Sequence, residues 1–205
     1  MNLFQELTTK PWLDPTGPGK EPEEAVSLAL PRSTVGLRVF LVVVTVLFAL
    51  FIVSYSDRML LSDWRAMPEP WLLWPNTLIL VLASASLHWA TVSARRGRLD
   101  EMKTSLVTGG AFSLAFLAGQ LFAWQALVAG GYYAASNPAN AFFYVLTALH
   151  GLHLIGGVGA IGLTFAKLRR GAKVEDVAQA VDLCAVYWHF LFVVWLVVFG
   201  LLLFT

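Results

Sequence analysis

The chain has 205 residues, 58 % of them hydrophobic and 13 % charged, and a formal net charge of +1. A soluble domain carries about 25 % charged residues, so a soluble globular fold is excluded, and the near-zero net charge gives no bulk pull toward nucleic acid. The 63 residues from Thr104 to Ala166 contain no Asp, Glu, Lys or Arg. One bilayer crossing takes about 20 residues, so this run alone holds two. The composition predicts an all-α integral membrane protein with five transmembrane helices in a bundle.

Residues 1–34 are rich in Pro and Glu (Pro11, Pro15, Pro18, Pro22, Pro31) and read as a polar, extended tail on one membrane face. Trp12 and Leu13 offer a docking contact within it. The tail lacks the basic start, apolar centre and small-residue cleavage site of a signal peptide. The membrane domain is expected over 35–205, with helices at about 35–54, 71–93, 105–130, 139–166 and 183–204. The turn residues Gly131 to Pro138 separate the third helix from the fourth.

The basic residues set an orientation. The tail and its helix entry carry Lys10, Lys20, Arg32 and Arg38. The second connection carries Arg95, Arg96, Arg98 and Lys103, and the fourth carries Lys167, Arg169, Arg170 and Lys173. Only Arg58 and Arg65 fall on the other side. Five crossings then put the amino terminus inside and the carboxyl terminus outside.

No Asp or Glu falls inside any predicted helix, Asp182 sitting just at the inner end of the fifth. Proton relays through membranes use buried carboxylates, so the chain is not expected to pump protons by itself. It carries no phosphate-binding loop, nucleophile elbow or zinc spacing. Cys184, the single cysteine, cannot form an internal disulfide and reads as inert packing. Ala111, Ala115, Gly119 and Ala123, and likewise Gly156, Gly159, Ala160 and Gly162, form small-residue faces that allow close helix approach in lipid.

The buried polar groups are chiefly His88, His150, His153 and His189. At about 1.5 Å per residue, His88 and His189 both lie roughly 8–9 Å from the inner boundary, at matching depth on two helices. Two readings of that placement are open. The pair ligates haem, which accepts axial imidazoles, or the histidines hydrogen-bond between helices, to Ser, Thr or carbonyls, as Gln120 would. Trp64, Trp71 and Trp74 suit an outer aromatic belt and Trp89 and Trp188 an inner one; Trp124 and Trp195 suit packing.

Two stretches carry a resemblance. Phe142 to Gly157 contains His150-Gly151-Leu152-His153 followed by Gly156-Gly157, and Tyr187-Trp188-His189-Phe190 is followed by Val193-Val194-Trp195. Together with Asn76-Thr77, Ala83-Ser84, Trp89-Ala90, Gly97-Arg98 and Met102, in that order along Val35 to Phe204, they resemble subunit III of the haem–copper oxygen reductases, in its short five-helix bacterial form.

The resemblance implies a non-catalytic accessory subunit of a respiratory terminal oxidase, which reduces oxygen to water coupled to proton movement. It implies packing on subunit I, with subunit II in the same complex, and phospholipid held in a cleft between helix groups. Haem and copper are expected in subunit I and none in this chain, which is expected to be multi-pass in a bacterial inner membrane. It assigns no catalytic, metal or cofactor residue, and a packing role to Asn76, Trp89, Gln120, His150, Gly151, His153, Gly156, Gly157, Trp188, His189 and Trp195. Three positions depart from the family pattern, where acidic residues are usual: Val44, Ala123 and Phe192. A related accessory subunit of a nitric oxide reductase, and a membrane haem-b protein using His88 and His189, are the alternatives.

Overall fold

The computed structural model describes residues 31–68, 70–171 and 174–204, Val174 by its backbone only. The tail reading for residues 1–30, with Trp12 and Leu13, lies outside the described residues, as does Lys173. The chain divides into two units, Met1–Val35 and Gly36–Thr205, and the second holds the helical bundle.

The described residues form five helices and no strand: α1 (Arg32–Arg58), α2 (Leu73–Arg95), α3 (Leu99–Ala129), α4 (Pro138–Arg169) and α5 (Val174–Leu203). Each is long and apolar enough to cross a membrane. The shortest, α2, has 23 residues; at 1.5 Å per residue that is about 35 Å, against a hydrocarbon core of about 30 Å.

Several helices outrun the apolar runs that predict them. α3 begins at Leu99 and α5 at Val174, six and nine residues before the hydropathy boundary. The expectation that no carboxylate falls within a helix is corrected accordingly. Asp57 lies in the last turn of α1, Asp100 and Glu101 occupy the first turn of α3, Glu175 and Asp176 that of α5, and Asp182 lies further along α5. The reason is that a helix need not stop where the hydrocarbon does. Acidic groups in a first turn face the positive end of the helix dipole, which stabilises the extra turns.

The ends are chemically marked. Gly97 and Gly131 adopt φ of 70° and 84° just past α2 and α3, a left-handed conformation that costs glycine little. α4 starts with Pro138 behind an Asn137 cap, whose side chain accepts from Ala139 N at 3.3 Å. Asn137 Nδ2 also donates to the carbonyl of Arg65, tying this turn to the connection after α1.

α2, α3, α4 and α5 close a ring in which each packs on two neighbours. α2 and α5 run antiparallel along one seam. Down it, Trp74 meets Phe199 edge-on at 5.1 Å, Trp195 meets Thr77, Ser84 meets His189, and Arg95 pairs with Asp182 at 3.3 Å. Phe116 of α3, His150 of α4 and Trp195 of α5 fill the ring's centre.

α1 is different. Among the described residues none of its Cα atoms comes within 8 Å of a Cα of another helix. Large rings bridge the gap instead. Phe40 and Phe48 reach His153 with centroids 6.1 and 5.7 Å away, Phe40 also reaches Tyr187 at 6.1 Å, and Tyr55 packs edge-on against Phe142 at 5.4 Å. Its opposite side, from Val39 through Val42, Val46 and Leu50 to Val53, is exposed and wholly apolar. In lipid such a face is solvated rather than stranded.

Candidate functional site

The polar side chains inside the ring come from four helices. Asn76 of α2 donates to Oε1 of Gln120 on α3 at 3.3 Å, both buried. Gly119 makes this possible: a Cβ there would stand 2.9 Å from Asn76 Cγ and collide with its Oδ1. Two indoles use a common device. Trp195 Nε1 donates to Thr77 Oγ1 at 2.9 Å, and Trp124 Nε1 to Thr147 Oγ1 at 3.1 Å. Each threonine hydroxyl donates in turn to the carbonyl four residues back, Leu73 and Phe143, at 2.7 Å. Each threonine is therefore satisfied inside its own helix while it accepts from another side chain.

The four histidines occupy unlike settings. His150 is fully buried between the rings of Phe48, Phe116 and Trp195, the last tilted by 31° with centroids 5.1 Å apart. Neither of its ring nitrogens has a hydrogen-bond partner among the described residues. The interhelical hydrogen bond expected of it is not there; aromatic packing replaces it. His153 is half-buried, and its Nδ1 bonds the carbonyl of Leu149 at 2.7 Å within α4. The carbonyl of His153 accepts from Tyr187 Oη at 2.9 Å, which ties α4 to α5. His189 Nδ1 lies 2.7 Å from Ser84 Oγ across the seam, and its ring faces that of His88 at 5.8 Å.

The glycines of the motif stretch do different work. A Cβ on Gly157 would lie 3.0–3.1 Å from the rings of Tyr187 and Trp188, so its absence lets α4 approach α5. A Cβ on Gly156 would lie 3.8 Å from Tyr187 Oη and one on Gly151 3.7 Å from Leu117, ordinary distances. Trp188 is 1 % exposed rather than in an interfacial belt, because the turn of α5 aims it at Gly157; its indole N–H has no partner among the described residues. Trp71, Trp74 and Trp89 are exposed, as a belt requires. Cys184 is buried, 3.5 Å from Thr164 Oγ1.

The positions that depart from the family's acidic pattern sit where a carboxylate has no answer. Val44 is 2 % exposed, Ala123 is 0 % exposed, and Phe192 is half-buried. The first two lie in the main apolar core.

Between α1, α4 and α5 runs an apolar groove of about 600 Å³. Phe40 and Leu37 form one wall, Gly156, Ala160 and Leu163 another, and Cys184 and Tyr187 the third; Lys167 and Arg170 stand at one end. The ring side chains that hold α1 away from the bundle create this space, and the small residues of α4 deepen it. Sequence reasoning did not locate the groove. Its one signal was the small face of α4 running into basic residues.

Haem does not fit the His88–His189 pair. A porphyrin would have to enter a seam already closed by the Ser84–His189 contact at 2.7 Å and the Trp195–Thr77 bond at 2.9 Å. Among the described residues there is also no group of three or more His, Cys, Asp or Glu side chains able to hold a metal ion. An interior built from amides, hydroxyls and rings, with α1 propped against it, defines a class: a polytopic membrane subunit organised for packing.

The profile of the cytochrome c oxidase subunit III family matches residues 32–204, and the chain belongs to that family. It is 32 % identical over 178 residues to cytochrome c oxidase subunit 3 of Thermostichus vulcanus, covering 82 % of this chain and 84 % of that one. It is 30 % identical to the Synechocystis protein of the same name, over 80 % of this chain and 72 % of the relative. A probable cytochrome c oxidase subunit 3 of Nocardia farcinica is 30 % identical, over 78 % and 79 %. The chain is thus an accessory subunit III of a terminal oxidase complex, multi-pass in the membrane.

Proposed function

We propose that this chain braces subunit I of a haem–copper oxidase, alongside subunit II, and holds phospholipid in the groove between α1, α4 and α5. Haem, copper and the reacting oxygen belong to the partner. The packing residues named from the sequence, Asn76, Gln120, His150, Gly157, Trp188, His189 and Trp195 among them, keep four helices at fixed spacing. The family membership and the interior free of carboxylates support that division of labour.

The observation that carries the lipid reading is the groove itself. Its walls are almost entirely apolar, which suits acyl chains, and Lys167 and Arg170 at its end suit a phosphate. The same end carries Arg95, Arg96, Arg98 and Lys103, and this excess of positive charge supports a cytoplasmic position for it in a bacterial inner membrane, with the carboxyl terminus opposite.

The test is the oxidase purified from a strain lacking this subunit. We expect initial oxygen consumption that is partly intact and decays faster during sustained turnover than that of the complete complex. An unchanged working life would sink the proposal, and so would stoichiometric haem in the isolated chain, seen as a Soret band.

A further inference from the structure

We propose that the half of α1 toward its amino terminus, residues 36–45, is a clamp that closes on the groove when an acyl chain leaves it. The clamp pivots on the other half of the helix. This rests on the lipid reading of the groove and adds what the occupant controls, namely the position of α1.

The first observation is the stand-off of α1. Directly packed helices have axes about 8–10 Å apart and Cα atoms about 2.3 Å from each axis, so their nearest Cα pairs lie about 4–6 Å apart. Among the described residues no Cα of α1 comes within 8 Å of another helix. α1 therefore stands at least about 2 Å farther out than direct packing would place it. The space so opened is the groove, which Leu37 and Phe40 wall on the α1 side. In lipid this separation costs little, because an acyl chain solvates an apolar side chain as well as a neighbouring leucine does.

The grip on α1 weakens along its length. At the pivot, Tyr55 is 1 % exposed and lies edge-on to Trp64 at 4.9 Å and to Phe142 at 5.4 Å. The connection beyond it is tied by the Arg58–Asp63 ion pair and by the bond from Asn137 to the Arg65 carbonyl. Further along, Phe48 is buried against His153 at 5.7 Å and His150 at 6.5 Å. Phe40, by contrast, is 45 % exposed and meets His153 and Tyr187 at 6.1 Å. A Cβ on Gly36 would meet nothing within 4 Å. Motion belongs to this loosely held end.

The facing side of α4 is shaped to receive it. Gly156 and Ala160 line the groove, and Gly156 is exposed. Glycine disfavours a helix, yet in the open arrangement Gly156 relieves no close contact, since a Cβ there would meet nothing nearer than Tyr187 Oη at 3.8 Å. It does so once α1 moves in, where a missing side chain lets two backbones approach. An acyl chain between Phe40 and this face holds the helices apart. Without one, Phe40 turns toward the surrounding lipid, the two apolar surfaces meet and the groove closes.

The experiment is distance measurement by double electron–electron resonance on the full-length chain, with nitroxide labels at pairs of exposed positions on α1 and α5. Val39 with Val186 reports the clamp, and Val53 with Val197 the pivot. Cys184 is buried and left in place. Each pair is measured in detergent samples that retain phospholipid and in samples washed free of it, with lipid phosphorus counted in both. We expect washing to shorten the Val39–Val186 distance by at least about 2 Å, the excess over direct packing, and to leave Val53–Val197 unchanged. Adding phospholipid back should restore the longer distance. Gly156→Leu, at an exposed position, fills the receiving face and should abolish the shift. A Val39–Val186 distance that ignores lipid removal overturns the proposal, as does an equal shift at both pairs or one that survives Gly156→Leu. The phosphorus count separates the two readings: lipid retained beside an unmoving helix sinks the clamp alone, and a chain that retains no lipid before washing sinks both.

Discussion

The indole N–H of Trp195 on α5 donates to Oγ1 of Thr77 on α2 at 2.9 Å, while the Thr77 hydroxyl donates its own hydrogen bond to the Leu73 carbonyl at 2.7 Å. This relay fixes the depth at which two antiparallel helices stand against each other, because the threonine can accept only at its own level. Thr77→Val keeps the shape and removes the acceptor. A buried indole N–H is then left unpaired, a loss of about 1–3 kcal/mol. Thr77→Ser should retain most of the stability. The apparent unfolding temperature of the detergent-purified chain distinguishes them, and equal values for the two variants would contradict the relay.

Two helix glycines should respond oppositely to alanine. At Gly119 the new methyl strikes Asn76, which must swing away and give up its bond to Gln120. The expected loss is again about 1–3 kcal/mol. At Gly159 a Cβ meets nothing within 4 Å, so Gly159→Ala should be neutral or stabilising by up to about 1 kcal/mol through helix propensity. Paired thermal melts of the two variants check both signs.

Acidic residues placed at Val44 and Ala123 should impair assembly. Ala123→Glu and Val44→Glu place a carboxylate in a core with no cation facing it, which costs several kcal/mol even after the group neutralises. Phe192→Asp, at a half-buried site, should be better tolerated. The amount of each variant recovered in the assembled complex from equal expression should follow the order Phe192→Asp above Val44→Glu and Ala123→Glu.

Charge removal at the groove's end should release lipid without unfolding the bundle. Lys167 and Arg170 are both exposed, so Lys167→Gln with Arg170→Gln leaves the helices in place. We expect less phospholipid to co-purify, measured as phosphorus per subunit after extensive detergent washing. A lipid content equal to that of the unaltered protein would contradict the phosphate role of the two cations.

The number of crossings and the absence of a soluble core were legible in the sequence, because hydrocarbon solvation demands long runs without charge and nothing else does. Helix ends were not. Asp100, Glu101, Glu175 and Asp176 interrupt the apolar pattern yet sit inside helices, since backbone pairing continues past the lipid boundary. The residues of the motif stretches were visible as a group, but their individual tasks were not. His150 and His189 look alike in the chain, and one is caged by three rings while the other meets a serine.

Sequence alone determined that this protein lives in the bilayer, crosses it five times and resembles an oxidase subunit. Those properties follow from one-dimensional quantities, namely hydropathy, charge placement and ordered motifs. Tertiary structure decided that α1 stands off from the ring, that a groove opens behind Phe40, and which polar atoms meet across each seam. In lipid, apolar residues gain little by choosing one neighbour over another. The choice falls to the fit of rings against glycines and to single hydrogen bonds between helices distant in the chain.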